Sequence, residues 1–549
     1  MKKLFTLLAM LTLAVTSTWA QWKPSDTDFT VVGTDSIYSN GGLKTLHTPQ
    51  GTVVCTWYEW PKGMMSKDPE SGYYLHMQVY DKDGKAKFPQ GGILVSSKPT
   101  PSSTTDYGVS LADNGDILIA YFDVRNDANK KNMEMYAYRY TQDGQPVWDA
   151  DGICFAPKTQ YNRGHELVPQ IVASGDNVFF GCYHTESYNV KADSTNWEPN
   201  PWIPDDTMPD SVTVSYDTFQ LQCMNADGTF AWTEPKVYDT DNSYLYAAPE
   251  GNLYFLYTNS GYGLDAQLIN ANGDNAWGKV VNVEKESLSG GSYMSDPTVV
   301  PDDQGGLVFG YRKLLTYSGY ATINHLQNDG TVWEEAVLCN GSTDGDASNI
   351  TIGTKSDRAL VAWGYKNDHP TLMINEFSLD GDYVWEGDSL LGYVVAENEM
   401  WGVKPVTIIP QQNGWVLLYG DAQSWNGANF YVEKIDDNGR SMWKKQIAED
   451  NFKSSGFAIT SDDQNAYILY KCDKEVGDDR QEIPGPGGLR MMVIDITDAT
   501  NGIDTPTVNK NNTQETTVYN AQGMKLTNMS QPGLYVVKSG KSVKKVIVK

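Results

Sequence analysis

The sequence predicts an all-β protein: a β-propeller of eight four-stranded blades, followed by a small C-terminal β module. Three observations support this prediction: a repeated strand–turn unit, a composition suited to strands and turns, and a basic C-terminal segment. Of the 549 residues, 50 are glycine and 12% are aromatic, with 33 tyrosines and 16 tryptophans. Glycine supplies turns and aromatic residues favour strands, so this composition is typical of turn-rich β structure.

The charge distribution excludes two classes of partner. The formal net charge is −27, from 42 Lys and Arg against 69 Asp and Glu. Nucleic acids and anionic membrane surfaces both require clustered basic side chains, so neither is expected as a partner. The acidity belongs to the middle of the chain, because residues 505–549 hold seven Lys and one Glu.

The N-terminal end has the features of a secretory signal peptide over residues 1–20. Two lysines precede an apolar run at 4–15, and Thr18 and Ala20 occupy positions −3 and −1 of a cleavage before Gln21. This run is too short to span a membrane, and no other stretch reaches about 18 consecutive apolar residues. A signal peptide without a transmembrane span is therefore predicted; the alternative is a buried N-terminal helix.

One turn recurs seven times along the middle of the chain. Each copy has a strand-like run, two polar residues, a Gly and, in most copies, a Trp a few residues later. Asp-Gly and Asn-Gly at a strand end form hairpin turns, because glycine adopts positive φ without strain. The glycines of the copies are Gly84, Gly144, Gly228, Gly273, Gly330, Gly381 and Gly439.

A second motif, a turn followed by a hydrophobic run, alternates with the first, as in Asp113–Phe122 and Gln411–Tyr419. Each unit thus contains a strand, a tight turn, a strand, a variable loop, a strand, an Asp-Gly turn and a strand. A four-stranded antiparallel meander of about 45–60 residues matches a propeller blade. The tryptophans of the Asp-Gly turns recur regularly, so they are predicted to pack between blades.

The repeat predicts a ring over residues 21–504. Seven units are complete, and the eighth has only three strands, at 456–461, 466–472 and 489–497. Its missing outer strand is expected from residues 29–37, which have no blade of their own. This closure would remove two open sheet edges. The alternative is a seven-bladed ring with an appended β segment.

Beyond the ring, residues 505–515 are polar without an apolar period and are interpreted as a linker. Residues 516–549 then contain three ordered blocks: VYNAQG at 518–523, GLYVV at 533–537 and KKVIVK at 544–549. These blocks resemble the type A C-terminal sorting domain of the type IX secretion system, although its leading Asn-Pro block is absent. An ordinary small terminal β module is the alternative.

The resemblance implies export by the type IX secretion machinery of a Bacteroidetes-type bacterium. The protein would be secreted or held at the outer cell surface, with the tail removed or exchanged for an anchor. The residues that carry this implied sorting signal are Gly523, Gly533, Tyr535, Lys544 and Lys545.

The ring carries resemblances of its own. Its Gly-x-x-x-Trp spacing resembles the docking turn of eight-bladed quinoprotein-like propellers, and the wider repeat is similar to uncharacterised secreted propellers of Bacteroidetes. It differs from the Asp-box of sialidases, in which one residue separates Asp from Gly, whereas Asp directly precedes Gly here. No sialidase residue is therefore carried over.

Meander topology predicts where a ligand site would lie. The first-to-second and third-to-fourth turns are short and uniform, and they share what we call the tight-turn face. The second-to-third loops vary in length, and they share the opposite, variable-loop face with the blade-to-blade connections, such as the one that holds Arg163 and His165. Variable loops on a rigid scaffold commonly carry function, so any site is expected on the variable-loop face.

The candidate ligand-binding residues are polar or aromatic side chains in or beside the variable loops. Asp123 and Arg125 could meet a ligand or form an ion pair that fixes their loop. The tryptophans of the acidic, proline-rich loop 184–216 could stack on sugar rings or pack on the neighbouring blade. The candidates are Trp60, Asp123, Arg125, Arg163, His165, His184, Trp197, Trp202, Arg312 and Trp425.

Little in the sequence points to metal or covalent chemistry. The acidic loop could bind Ca²⁺, but it lacks the spacing of an EF-hand, and the six histidines lack zinc-ligand spacing. No other cofactor and no catalytic residue is assigned. The six dispersed cysteines are predicted to be buried thiols, and Cys182 and Cys223 are the pair that a disulfide could join.

The sequence therefore predicts a secreted or surface-anchored propeller that binds a glycan or a protein. The alternative is a glycan-active hydrolase or lyase with carboxylates on the variable-loop face. A purely structural envelope protein is the third hypothesis.

Overall fold

The computed structural model shows a chain built from β-strands. The predicted signal peptide and linker lie outside the residues that it describes. Among those residues, no helix is long and apolar enough to cross a membrane. The described residues are 29–34, 37–61, 71–100, 107–127, 132–160, 168–198, 207–240, 242–258, 263–284, 297–315, 318–339, 346–366, 371–385, 391–394, 403–424, 427–447, 457–476, 481–497, 516–520, 525–526, 533–539 and 542–548.

Eight antiparallel four-stranded sheets form the blades of a ring, which confirms the eight-bladed prediction. The N-terminal strand is β1 (Thr30–Val31). Blade 1 contains β2 (Ile37–His47), β3 (Val53–Pro61), β4 (Tyr74–Tyr80) and β5 (Ile93–Leu94). Blade 2 contains β6 (Gly108–Leu111), β7 (Ile117–Asp123), β8 (Asn132–Tyr140) and β9 (Ile153–Gln160). Blade 3 contains β10 (Gln170–Ser174), β11 (Asn177–Lys191), β12 (Ser211–Asn225) and β13 (Lys236–Tyr238).

The next four blades repeat this meander. Blade 4 contains β14 (Ser243–Ala248), β15 (Asn252–Thr258), β16 (Leu264–Ile269) and β17 (Val281–Glu284), with a 3-10 turn at Pro249–Gly251. Blade 5 contains β18 (Thr298–Pro301), β19 (Leu307–Leu315), β20 (Ser318–Leu326) and β21 (Val337–Leu338). Blade 6 contains β22 (Asp346–Lys355), β23 (Arg358–Lys366), β24 (Thr371–Ser378) and β25 (Leu391–Val394). Blade 7 contains β26 (Val403–Gln411), β27 (Gly414–Ser424), β28 (Gly427–Ile435) and β29 (Ser441–Ile447).

Blade 8 is closed by the N-terminal strand, as the sequence predicts. Thr30 of β1 lies opposite Met491 in an antiparallel pairing. The closing strand is shorter than the predicted segment 29–37, because Ile37 already begins blade 1. Blade 8 contains β30 (Phe457–Ser461), β31 (Asn465–Val476), β32 (Gln481–Asp495) and β1.

The first strands of successive blades meet at the inside of the ring. The Gln170 side-chain amide of β10 donates to the Ser243 carbonyl of β14 at 2.6 Å, and the Thr298 hydroxyl of β18 donates to the Ile350 carbonyl of β22 at 2.7 Å. The tight turns between first and second strands therefore surround one mouth of the central channel. The core lies between blades, where apolar side chains of facing sheets interdigitate.

The tryptophans of the Asp-Gly turns join consecutive blades. The Trp232 indole N–H donates to the Ala271 carbonyl at 2.7 Å, and Ala271 lies two residues before Gly273 in the next blade. The same bond is made by Trp148, Trp277, Trp333 and Trp385. These indoles are structural, as predicted from their regular place in the repeat.

Residues 499–549 form a second compact unit. Its sheet has the order β34, β33, β35, β36. Gly533 and Tyr535 lie on one strand and Lys544 and Lys545 on the next, whereas Gly523 falls outside the described residues. The strands are β33 (Thr516–Asn520), β34 (Lys525–Leu526), β35 (Gly533–Ser539) and β36 (Ser542–Val548).

Candidate functional site

Asp123 and Arg125 form a buried ion pair where β7 ends on the variable-loop face. The Asp123 side chain is 0% exposed, and its two carboxylate oxygens accept bonds of 3.0 and 2.9 Å from Arg125 Nε. The Arg125 backbone N–H also donates to Asp123 at 3.0 Å. The pair fixes the start of the β7–β8 loop.

The Arg125 guanidinium is fixed by further hydrogen bonds and by a contact with an aromatic ring. Its Nη1 donates to the Asp151 carbonyl at 2.6 Å, its Nη2 donates to the Tyr138 hydroxyl at 2.8 Å, and its Cζ lies 3.5 Å from the centre of the Tyr136 ring. Burial lowers the pKa of Arg125, but the hydrogen bonds and charge of Asp123 outweigh burial and raise it above the ordinary value. The guanidinium is therefore a permanent, oriented positive charge.

Glu134, opposite Asp123 in the β7–β8 ladder, extends this cluster to the surface. Its Oε2 accepts the Tyr136 hydroxyl at 2.8 Å and the Asn126 side-chain amide at 2.5 Å. Burial and this bond to Glu134 raise the pKa of Tyr136, so the phenol is protonated at neutral pH. We call Asp123, Arg125, Asn126, Glu134 and Tyr136 the blade 2 cluster.

The β11–β12 hairpin of the next blade projects from the same face. Its strands pair from Asn177 opposite Asn225 to Lys191 opposite Ser211, so much of the predicted loop 184–216 is strand. Tyr188 and Tyr216 lie on the same side of the hairpin, since Tyr188 pairs with Val214 and Glu186 with Tyr216. They are 54% and 48% exposed, respectively. This side of the hairpin is an exposed aromatic surface.

The other described candidates lie on strands or pack against neighbouring side chains. His184 lies on β11 and Arg312 on β19, so both are strand residues rather than loop residues. Trp60, on β3, packs edge to face on Tyr73 with 5.0 Å between ring centres. Trp197 is half-buried near the tip of the hairpin. Arg163, His165, Trp202 and Trp425 lie outside the described residues.

A buried carboxyl group lies beside Trp60. Glu59 accepts a 2.7 Å bond from the Trp57 indole, and the His76 Nε2 is 3.3 Å away. Burial raises the pKa of Glu59, while His76 and the Trp57 bond lower it by less. Glu59 is thus a buried carboxyl group near the variable-loop face, and its pKa is raised mainly by burial.

The tight-turn face holds a cavity of about 940 Å³. It lies between the turns of blades 5 to 8 and is lined by charged and amide side chains. Lys355 bridges its wall, since its Nζ donates to Asp437 at 2.7 Å and lies 4.6 Å from the centre of the Trp415 ring. The sequence placed every candidate on the opposite face, and so it missed this cavity.

A signal for the cavity was present in the sequence. In blades 6 and 7 a charged residue occupies the strand position five residues before the turn glycine, where blades 1 and 4 carry the apolar Val79 and Leu268. Lys434 and Glu376 stand at this position, before Gly439 and Gly381. A charge that recurs inside an apolar strand indicates a buried polar contact.

The described cysteines are free thiols, and Cys182 and Cys223 are not joined. Burial raises the pKa of Cys55 and of Cys182 to about 12, so neither thiol is a nucleophile at neutral pH. Cys154 is exposed, which corrects the prediction that all the thiols are buried. Within the part of the chain that the structure describes, no group of three or more His, Cys, Asp or Glu is arranged to hold a metal ion.

No protein-family model matches the chain, and no curated protein matches its sequence. Three solved structures illustrate what its fold is similar to. A protein of unknown function from Dyadobacter fermentans is 12% identical, with 75% of this chain and 95% of that one covered and a TM-score of 0.31. An ulvan lyase of polysaccharide lyase family PL25 is 12% identical, with 75% and 97% covered and a TM-score of 0.39. A Hadza microbial sialidase is 11% identical, with 87% and 98% covered and a TM-score of 0.31. At this level of identity the likeness concerns the fold alone.

Proposed function

We propose that this protein is a secreted propeller that binds a glycan or protein ligand on the variable-loop face of blades 2 and 3. The exposed pair Tyr188 and Tyr216, on a rigid hairpin next to the blade 2 cluster, carries this proposal. Tyrosine rings supply a large contact area at a low entropic cost, for proteins and for sugar rings alike. The neighbouring Asn126 and Glu134 add directional polar contacts.

Binding fits this arrangement better than glycoside hydrolysis does. Hydrolysis by paired carboxyl groups needs two of them about 5–9.5 Å apart, one of them free to exchange a proton. In the blade 2 cluster, Asp123 is buried against Arg125, which leaves Glu134 as the carboxylate near the surface. A hydrolase or lyase remains the alternative, with Glu134 as its acid or base, and turnover abolished by Glu134→Gln would favour it.

We also propose that the terminal unit directs export through the type IX secretion machinery. The ordered blocks of the last residues support this, and their four-stranded sheet gives them a folded form. Deletion of residues 516–549 should leave the protein inside the periplasm of a type IX-competent host. Normal surface delivery of the shortened chain would contradict the proposal.

A glycan array probed with the full chain tests the binding proposal, with and without Ca²⁺. We expect binding to one class of glycan. If glycan binding requires Ca²⁺, the acidic tip of the β11–β12 hairpin would be assigned as the metal site. Failure to bind any glycan under either condition would contradict the glycan proposal and leave a protein ligand.

A further inference from the structure

Buried polar side chains at one repeat position contact a carboxylate of their own blade. In blade 2, Arg139 Nε lies 2.9 Å from an Asp116 carboxylate oxygen. In blade 5, His325 Nε2 lies 2.6 Å from an Asp302 carboxylate oxygen. Both carboxylates come from the turn between the first and second strands of the same blade. This turn therefore supplies the counter-charge for the third strand.

Blade 6 has the same pair with the charges reversed. Its third strand contributes Glu376, which is fully buried, and its second strand begins with Arg358, directly after the first turn. The Arg358 Nη1 lies 3.6 Å from the Glu376 Oε2. The two groups attract each other, but this separation is too long for a hydrogen bond.

Lys434 of blade 7 is a buried cation whose counter-charge is missing. It is 7% exposed, and its Nζ makes a long bond of 3.4 Å to the Ile496 carbonyl. The first turn of its blade offers Gln411, Gln412 and Asn413 in place of an acid. Over the described part of the chain, no carboxylate lies within ion-pair distance of Lys434. Burial of an unpaired ammonium is unfavourable, so an anionic group of a ligand would be stabilised beside Lys434.

The cavity of the tight-turn face opens onto Lys434. Arg358 lines it too, and its guanidinium lies 3.8 Å from Asp357 and 3.6 Å from Glu376, beyond hydrogen-bond distance of both. Two cations with unused donors therefore face the same space. Amides of the blade 7 turn and hydroxyls such as that of Thr354 complete its wall.

The wall is not uniformly basic, which restricts the ligand. Lys355, Arg358 and Lys434 face four carboxylates, those of Asp303, Asp357, Asp437 and Asp463. A polyanion would be repelled by these acids, whereas hydroxyl groups can donate to them. A molecule with one acid group and many hydroxyls fits this lining, because its acid group can pair with the cations and its hydroxyls can donate to the carboxylates.

We propose that this cavity binds an acidic saccharide. Its carboxylate takes the position of the missing counter-charge at Lys434, with Arg358 as the second donor. Its hydroxyl groups bond to the amides and carboxylates of the wall. This site lies on the face opposite the proposed ligand site of blades 2 and 3, and it does not depend on that proposal.

Isothermal titration of the full chain with glucuronate and galacturonate tests the proposal, with glucose, acetate and phosphate as controls. We expect the uronates to bind, glucose to bind at least tenfold more weakly, and Lys434→Met to reduce uronate affinity at least tenfold. Arg139→Met removes a buried cation at the same repeat position, outside the cavity, and should keep uronate binding. If Lys434→Met does not fold, Arg358→Gln at the cavity wall replaces it and should lower the affinity several-fold.

Three results would overturn the proposal. The first is the absence of binding of either uronate to the wild-type chain. The second is unchanged uronate affinity in a folded Lys434→Met variant. The third is acetate or phosphate binding as tightly as the uronates, since this would remove the role of the hydroxyl groups.

Discussion

The indole N–H of Trp148 donates a 3.0 Å hydrogen bond to the carbonyl of Ala226, in the Asp-Gly turn of the next blade. The same carbonyl accepts a 3.0 Å bond from Nη1 of Arg139. One backbone oxygen thus receives two side chains from the preceding blade. The Asp-Gly turns therefore set the contact between blades, and they hold the variable loops on a rigid ring.

Loss of one docking bond should destabilise the ring. Trp232→Phe removes the donor to the Ala271 carbonyl, and we expect a loss in free energy of unfolding about 1–2 kcal/mol larger than for Trp443→Phe. Trp443 is a matched control, because its buried indole N–H has no partner among the described residues. Urea unfolding of both variants measures the difference, and equal losses would contradict the role of the bond.

Close approach of blades requires glycine in the docking turn. Gly228 has φ +87°, and a Cβ there would lie 2.9 Å from Trp148. Gly228→Ala should therefore cost about 1–2 kcal/mol of backbone strain and a further loss from steric overlap. Gly278→Ala isolates the strain, because Gly278 has φ +64° and open space around its Cβ position. A thermal melt in which Gly278→Ala is the less stable variant would refute this explanation.

The Asp123–Arg125 pair should stabilise the loop more than an exposed ion pair does. Arg125→Met leaves a buried carboxylate without its partner, with an expected cost of about 3–5 kcal/mol. The double variant with Asp123→Asn should recover part of this loss, because no unpaired charge then remains. A double-mutant cycle measured by urea unfolding gives the coupling energy, and strictly additive losses would show that the pair does not interact.

Glu376 predicts a pH dependence of stability. Burial raises its pKa above 4.5, although the Trp415 bond and the charges of Arg358 and Lys355 oppose this. A raised pKa means that the stabilisation is complete below the unfolded value and is lost as pH rises through the folded value. Glu376→Gln should therefore gain stability relative to the wild type as the pH increases from about 4 to 7.

The exposed Asp227 gives the control of opposite sign. Its bonds from Thr229 lower its pKa below 3.8, so its stabilisation is present above the unfolded value and is lost as pH falls. The free energy of unfolding of Asp227→Asn, relative to that of the wild type, should therefore be highest at acidic pH. Unfolding free energies at several pH values check both variants, and parallel curves for Glu376→Gln and wild type would reject the assignment.

The repeat was sufficient to predict the ring, because its determinants are local. A glycine such as Gly228 marks each turn and a tryptophan follows it in most copies, whatever lies elsewhere in the chain. The closing strand at Thr30 was predictable for a related reason, since blade 8 lacked one strand. The hairpin around Tyr188 was not predictable, because the polar residues of its exposed strands resemble those of a loop.

The site could be predicted only in part, because its contacts join distant segments. Asp123 and Arg125 are two residues apart, so their pairing was foreseeable. The contact of Arg125 with the Asp151 carbonyl depends on how β9 returns beside β8. That Lys434 has no acid opposite it among the described residues becomes visible only when the blades are compared, since in other blades the counter-charge comes from the turn between the first and second strands.

The central claim is that the aromatic side of the β11–β12 hairpin binds the ligand. The most direct test is the glycan array read with the wild-type chain and with the double variant Tyr188→Ser, Tyr216→Ser. Phe230→Ser is the matched control, because Phe230 is 45% exposed in the same blade but on the tight-turn face. We predict that the double variant loses the wild-type signals by at least tenfold and that Phe230→Ser retains them. Retention of these signals by the double variant, or equal losses in both variants, would contradict the claim.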